Sequence, residues 1–303
     1  MRLQILNFLL KPQYPVAAAL LAFTMAGCHM GESTKEKQLD EGVDSNASKI
    51  VKVDKVTFSV PSPIQISMML KKSGANYNKT SLNSTLNLSN YSTNFSKALN
   101  LGIYGADLGY ATIYDQTQDA IAYLNAIKQL ADVLGISGAF EKNTLQRFQN
   151  NIGVKDSVLA IITEAFRQSD GFLKNNERKD VGALIVAGGW IEALYFMTNV
   201  AKSSNNQEIV NRIGEQKITL DNLIKLLMGF QEQKEVGTLI DKLLELTNIY
   251  ENIQFSYTYK EPTIDTVKKL TVINSESNVK MSKEQLKDIT EKVTKLRTEI
   301  VKP

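Results

Sequence analysis

The sequence predicts an all-α protein, a multi-helix bundle of about eight to ten helices that follows a disordered N-terminal tether. Two observations lead to this prediction. From Phe95 to Ile253, apolar residues recur every three or four positions, and short polar loops separate the periodic segments. Hydrophobic residues make up 43% of the chain and prolines number only 6, so a sizeable helical core can form.

The N-terminal segment 1–27 has the layout of a secretory signal peptide. Its first half contains basic residues and no acidic residue, and Val16 to Ala26 form an apolar run without charge. A helix needs about 20 apolar residues to cross a membrane, so this run is too short to span one. A small residue, Gly27, ends the segment, and we expect the signal peptide to be removed after it.

The four residues Met25-Ala26-Gly27-Cys28 resemble the lipobox of bacterial lipoproteins. The resemblance implies cleavage between Gly27 and Cys28, and a mature Cys28 that carries diacylglycerol on sulfur and an acyl chain such as palmitate on nitrogen. His29 differs from the aspartate that resembles an inner-membrane retention signal, which implies the outer membrane of a Gram-negative cell. The periplasmic and the surface face of that membrane both remain open, and an ordinary signal peptide with an incidental cysteine is the alternative.

Composition excludes several kinds of chemistry. Cys28 and His29 are the only cysteine and histidine, so the folded body has neither residue, which excludes Ser-His-Asp and Cys-His catalysis and the usual zinc sites. We expect no metal and no cofactor. Loss of Arg2 and Lys11 with the signal peptide leaves 33 basic against 32 acidic residues, a balance that does not indicate a nucleic-acid partner.

The mature chain is predicted to begin with a lipidated flexible tether over 28–53, because that stretch is charged and has no apolar periodicity. A helical domain over 54–303 follows. It opens with a short strand at 55–60 and a helix at 62–74, in which Ser62 is the N-cap. The Asn-, Ser- and Thr-rich stretch 73–96 contains N-x-S/T sequences at Asn78, Asn83, Asn87, Asn90 and Asn94 and is predicted to be a polar loop.

The rest of the domain is predicted from its periodicity and from helix end signals. A change of pattern over 255–274 indicates irregular or strand-like chain, and a capping box from Ser282 to Gln285 opens a C-terminal amphipathic helix over 282–300. An alignment at an offset of 80 residues pairs Gly102 with Gly182, Gly109 with Gly189 and Tyr110 with Trp190, which raises the possibility of two related four-helix blocks over 95–176 and 177–253. The predicted helices cover 95–114, 117–135, 143–153, 156–176, 180–203, 205–214, 219–233 and 235–253.

The first and the fifth of these helices carry small residues in their interiors, where each glycine costs about 1 kcal/mol. Their retention predicts a seam at which the two helices pack closely. A membrane-spanning interpretation of 181–197 is disfavoured, because Glu192 interrupts the run. A ligand pocket between the helices is the third interpretation, and its candidate residues are Tyr104, Asp107, Tyr110, Trp190 and Glu192.

The body also resembles, diffusely, uncharacterised Gram-negative lipoproteins with segments like "SPIQISMMLKKSGANY" and "GGWIEALYF", a resemblance that implies no activity. We therefore expect an outer-membrane-anchored helical lipoprotein that contacts the membrane through its lipid and binds a protein partner or ligand in the cell envelope without catalysis. The alternative is a carboxylate-dependent hydrolase acting on glycan, with Asp107 and Glu192 as the acid/base pair in an open cleft. A glycan-capture lipoprotein of the kind that serves outer-membrane transporters is disfavoured by the short chain.

Overall fold

A computed structural model describes residues 49–53, 56–60, 62–139, 143–151, 153–204, 206–265 and 270–302. The predicted signal peptide, the lipobox and most of the tether lie outside these residues. Residues 42–303 group into one compact unit, and the described part of that unit is mainly helical, as predicted. Its α-helices are α1 (Pro63–Lys72), α2 (Asn94–Ile113), α3 (Thr117–Val133), α4 (Thr144–Asn150), α5 (Lys155–Asn175), α6 (Lys179–Ser203), α7 (Gln207–Met228), α8 (Lys234–Glu251) and α9 (Lys283–Val301).

Helices α2 and α6 form the centre of the fold. Every residue of α2 from Ala98 to Ile113 is buried, as is most of α6. Helices α1, α5 and α9 contact both, while α3 packs against α2 and α7 packs against α6. The other helices therefore arrange themselves around this pair, and each buries one apolar face against it or its neighbours.

Glycines allow the two central helices to approach closely, which confirms the predicted small-residue seam. A Cβ atom at Gly102 would overlap the carbonyl oxygen of Ile185 and would lie 2.8 Å from the amide nitrogen of Gly189. A Cβ atom at Gly188 would overlap the carbonyl oxygen of Leu99. Backbone lies against backbone at this crossing, so only glycine fits there.

The matched glycines of the sequence repeat have different surroundings. Gly102 lies at the crossing with α6, whereas Gly182 faces Leu173 of α5. Gly109 faces Ile64 of α1, whereas Gly189 lies near Gly102 itself. The alignment of the sequence at an offset of 80 residues is therefore not accompanied by equivalent contacts of its glycines.

Helix α6 is long and apolar enough to cross a membrane by length and composition alone. Its most apolar window is 89% buried inside the protein, however, and Glu192 within it is paired to an arginine. Its apolar surface is therefore covered by other helices, and α6 is the core helix of this domain.

Helix boundaries follow the sequence signals closely, with one correction. Ser62 and Gln65 form a capping box at α1, and Ser282 and Gln285 form the predicted one at α9. The two helices predicted over 205–214 and 219–233 are a single helix, α7, which runs through Gly214. The sequence predicts a helix end at Gly214, but this glycine lies inside α7 and is needed for packing, because a Cβ atom there would overlap the side chain of Val279.

Among the described residues, three antiparallel strand pairs accompany the helices. Strand β1 (Lys49–Val53) pairs with β2 (Val56–Val60), so the strand predicted at 55–60 is confirmed and the last residues of the predicted tether form its partner. The stretch predicted as strand-like, 255–274, contains most of β3 (Gln254–Thr258) and all of β4 (Thr263–Asp265) and β5 (Leu270–Val272). Strand β6 (Glu276–Lys280) follows that stretch and is not predicted by the sequence. Strand β3 pairs with β6 and β4 with β5.

Candidate functional site

Asp107 of α2 and Glu192 of α6 lie side by side in the core, and both are fully buried. Arg297 of α9 reaches Glu192 with two hydrogen bonds of 2.9 Å, from Nε to Oε2 and from Nη2 to Oε1. The same Nη2 donates to the carbonyl oxygen of Ser81 at 3.2 Å, and the guanidinium lies 4.7 Å from the ring centre of Tyr195. This paired geometry satisfies a carboxylate that would otherwise be very costly to bury.

The surroundings of Asp107 disfavour the charged form of its carboxyl group. Burial, followed by the nearby charge of Glu192, raises the pKa of Asp107 well above its usual range, and Arg297 offsets only part of this. The Oδ2 atom accepts a hydrogen bond from the amide of Asn83 at 3.3 Å, while Oδ1 accepts none from any described residue. A protonated Asp107 would be neutral and would therefore avoid repulsion by the adjacent Glu192 carboxylate.

A set of uncharged polar side chains extends this cluster to the end of α9. The side-chain amide of Asn83 donates to the hydroxyl of Tyr91 and to the side-chain oxygen of Asn100. Tyr91 and Asn100 in turn donate to the carbonyl oxygens of Val301 and Ile300. The last turn of α9, whose carbonyls have no partner within the helix, is thus capped by buried side chains from a distant part of the chain.

The five pocket candidates are divided among different environments. Asp107 and Glu192 are in the buried cluster just described. Tyr104 is fully buried beside it and donates to the carbonyl oxygen of Ser84. The other two lie elsewhere: Trp190 donates to Gln216 of α7 at 3.0 Å, and Tyr110 lines a surface cleft.

The cleft beside Tyr110 has a volume of about 390 Å³ and lies between α6 and the segment that follows α1. None of the described residues that line it is charged. The hydroxyl of Tyr110 is already used, since it accepts from the amide of Asn78 and donates to the carbonyl oxygen of Asn76. The cleft is also lined by three further polar side chains, those of Asn76, Ser81 and Asn199.

A second cleft, of about 610 Å³, is lined mainly by the 79–87 segment. Its charged residues are largely neutralised in pairs. Lys79 contacts Asp119 at 2.6 Å, and Arg297, which forms part of the wall, is paired with Glu192. Neither buried carboxylate of the core cluster lines either cleft, so a molecule bound in them has no direct contact with Asp107 or Glu192.

Sequence reasoning missed Arg297 and Asn83, the two residues that link the cluster to α9 and to the 73–96 segment. For Arg297 a signal was present. It follows Val293 by four positions and adjoins Leu296, so it lies on the apolar stripe of α9, where an arginine needs a buried partner. For Asn83 no such signal is present, because it stands in an Asn-, Ser- and Thr-rich stretch that is typical of a solvent-exposed loop.

Groups of three or more His, Cys, Asp or Glu side chains that could hold a metal ion do not occur among the described residues. Comparison with known proteins adds no assignment to these sites. The chain matches no protein-family model, no curated protein and no solved structure.

Proposed function

We propose that this chain is an outer-membrane-anchored helical lipoprotein that binds a small, neutral and polar ligand in the cell envelope without transforming it. The anchor rests on the sequence, in which Cys28 ends a lipobox-like motif. The binding site is the cleft between α6 and the 73–81 segment. The arrangement makes the protein a binding component of the envelope, and a protein partner that receives the ligand is compatible with it.

One observation supports binding over catalysis: the two carboxyl groups considered as an acid/base pair lie outside the cleft that would hold the ligand. Asp107 and Glu192 are sealed in the core and Glu192 is engaged by Arg297. The cleft beside Tyr110 offers amides, hydroxyls and aromatic surface but no charged side chain among its described lining. Such a lining suits an uncharged molecule rich in hydroxyl groups, such as a saccharide.

A ligand screen tests this proposal. The mature protein is heated in the presence of neutral saccharides and other polyols, and a compound that binds the folded state raises the melting temperature in a concentration-dependent way. Asn199→Ala removes one amide from the cleft and should weaken the shift. Asn248→Ala, on the exposed side of α8, is the matched control and should leave it unchanged.

Two results would contradict the proposal. If no neutral compound shifts the melting temperature, the cleft is not a binding site of this kind. If a bound glycan is instead hydrolysed, and Asp107→Asn abolishes the hydrolysis while the protein stays folded, the carboxylate-dependent hydrolase is correct. Cross-linking in the native envelope, followed by mass spectrometry, identifies a protein partner separately.

A further inference from the structure

The strands β3 to β6 form one nested hairpin arm, defined here as the described residues 254–265 and 270–280. Its outer pair joins Gln254 to Lys280 and its inner pair joins Thr263 to Val272. Between the pairs, the amide of Asn274 donates to the carbonyl oxygen of Glu261 at 2.7 Å. The two halves of the arm are therefore connected into a single ribbon.

The arm contacts the helical body mainly at its base. Val279 is buried against Gly214 of α7, and the ammonium group of Lys217 lies 6.0 Å from the ring centre of Phe255. All the described residues of β3 and β5 are exposed. A two-stranded ribbon is only marginally stable by itself in water, so an arm of this length needs a surface to lie on.

Large apolar side chains cover the exposed part of the arm. More than half of the large exposed hydrophobic residues in the described chain belong to it, although it is a small part of that chain. The register of β4 and β5 places Leu270 and Val272 on one face of the ribbon and Ile264 on the other. Solvent alone does not favour this much exposed apolar and aromatic surface, which indicates an interaction site. These side chains are Phe255, Tyr257, Tyr259, Ile264, Leu270, Val272 and Ile273.

The chain enters the folded body on the same helix that supports the base of this arm. Strand β2, which follows the tether, contacts α7, and so does β6 at the base of the arm. Between Cys28 and Lys49 the fully extended chain reaches at most roughly 70 Å. If Cys28 is lipidated, as the proposed function holds, a membrane surface is therefore always within reach of the arm, at a high effective concentration.

We infer that the hairpin arm docks on the lipid surface as a second membrane contact, in addition to the anchor. Tyrosines are typical of the membrane–water interface, where Tyr257 and Tyr259 place a ring in the apolar layer and a hydroxyl in water. The docking holds the helical body, and with it the ligand cleft, against the membrane.

The depth of this contact is limited by the backbone and by charge. The free edges of a two-stranded ribbon carry amide and carbonyl groups that the hydrocarbon core cannot satisfy. Glu261 and Asp265 lie in the same arm and add a further cost to burial in lipid. The arm therefore lies in the head-group layer and does not span the membrane.

Fluorescence of the lipidated full chain tests the docking. Acylation blocks the native cysteine, so Tyr257→Cys supplies one reactive thiol for an environment-sensitive dye. The labelled protein is reconstituted into vesicles of phosphatidylethanolamine and phosphatidylglycerol that contain spin-labelled lipid. Val133→Cys on α3 is the matched control, because the native residues are similarly exposed. Val133 is 64% exposed and Tyr257 is 68% exposed.

We expect a blue shift and quenching by the spin-labelled lipid at position 257 and neither effect at position 133. The mass of the N-terminal peptide shows whether Cys28 is acylated. If it is acylated and neither dye is quenched, the docking is wrong although the anchor stands. A dye at 257 that responds to native envelope proteins but not to lipid also overturns the docking, in favour of a protein partner. If Cys28 carries no acyl chain, the anchor is wrong and the docking, which rests on it, is wrong with it.

Discussion

At the scale of single residues, the most informative feature is the buried cluster of Asp107, Glu192 and Arg297. Two carboxylates and one guanidinium occupy a site with almost no solvent, and charge balance requires one carboxyl group to keep its proton. Geometry assigns the charge to Glu192, which receives both arginine hydrogen bonds, and the proton to Asp107. The cluster joins α2, α6 and α9 through polar contacts that depend on exact placement.

Removal of the arginine should be strongly destabilising. Arg297→Met leaves the buried Glu192 carboxylate without a partner, and we expect it to lower the free energy of unfolding by about 3–5 kcal/mol in a urea titration. The double variant Glu192→Met, Arg297→Met should recover most of this loss. As a control, Lys287→Met removes an exposed ion pair with Glu291 and should cost less than about 1 kcal/mol. Equal losses for Arg297→Met and Lys287→Met would contradict the assigned role of the cluster.

The raised pKa of Asp107 predicts a pH dependence of stability with a definite sign. The folded protein holds this proton more tightly than the unfolded chain does. Stability therefore falls, by up to about 1.4 kcal/mol per pH unit, as pH rises from the ordinary aspartate pKa of about 3.9 to the raised pKa of Asp107 in the fold. Asp107→Asn keeps the donor and the acceptor but has no proton to lose, so its stability relative to the native protein should increase over this window.

Urea unfolding at a series of pH values measures this difference. Asp115→Asn is the control of opposite sign, because the hydrogen bond from Lys71 lowers the pKa of Asp115. That variant should lose stability relative to the native protein as pH rises through the ordinary range of an aspartate. If the native protein and Asp107→Asn show parallel curves, Asp107 is not protonated in the folded state.

At the scale of the elements, the crossing of α2 and α6 decides how the helices are arranged. Glycines bring the two backbones together, and the buried face of each helix then extends almost all the way around it. The neighbouring helices need only one apolar face each. This explains why the central pair, in which nearly every position is apolar or small, lacks the single apolar stripe of its neighbours.

Alanine substitutions should separate packing glycines from incidental ones. Gly188→Ala places a Cβ atom on the carbonyl oxygen of Leu99, and we expect a loss of about 3 kcal/mol in spite of the better helix propensity of alanine. Gly171→Ala in α5 is the control, because a Cβ atom there has no neighbour within 4 Å, and it should stabilise the protein by up to about 1 kcal/mol. Thermal or urea unfolding measures both, and a harmless Gly188→Ala would show that the two helices are not packed this closely.

At the scale of the whole molecule, the proposed anchor, arm and cleft would have separate roles in an envelope binding protein. The anchor would fix the chain to a membrane, the hairpin arm would orient the helical body there, and the uncharged cleft would hold the ligand. The buried ionic cluster takes no direct part. Its role is to fasten the C-terminal helix to the two central helices, so that the walls of the second cleft stay in place.

The anchor has its own test in cells. The native protein should enter the detergent phase in Triton X-114 partitioning, whereas Cys28→Ser should stay in the aqueous phase. Membrane fractionation tests the sorting prediction. His29→Asp should shift the protein from the outer to the inner membrane, and His29→Ser should not. A native protein that stays in the aqueous phase would exclude the lipid anchor.

The sequence by itself determined the helical class, most helix boundaries and the exclusion of histidine- and cysteine-based catalysis in the body. These depend on local signals, such as the capping box at Ser282, that act within a few residues. It also identified Asp107 and Glu192 as unusual, because both stand in apolar surroundings.

Only the tertiary structure decided what those residues do. Periodicity shows which face of a helix is buried but not which side chain it meets. Arg297 therefore could not be assigned to Glu192, which is 105 positions away in the sequence. Asn83 could not be distinguished from the other asparagines of a polar stretch until the fold enclosed it. Local rules fix the elements, whereas the charge state and the partners of a buried group depend on contacts that form only when distant elements pack together.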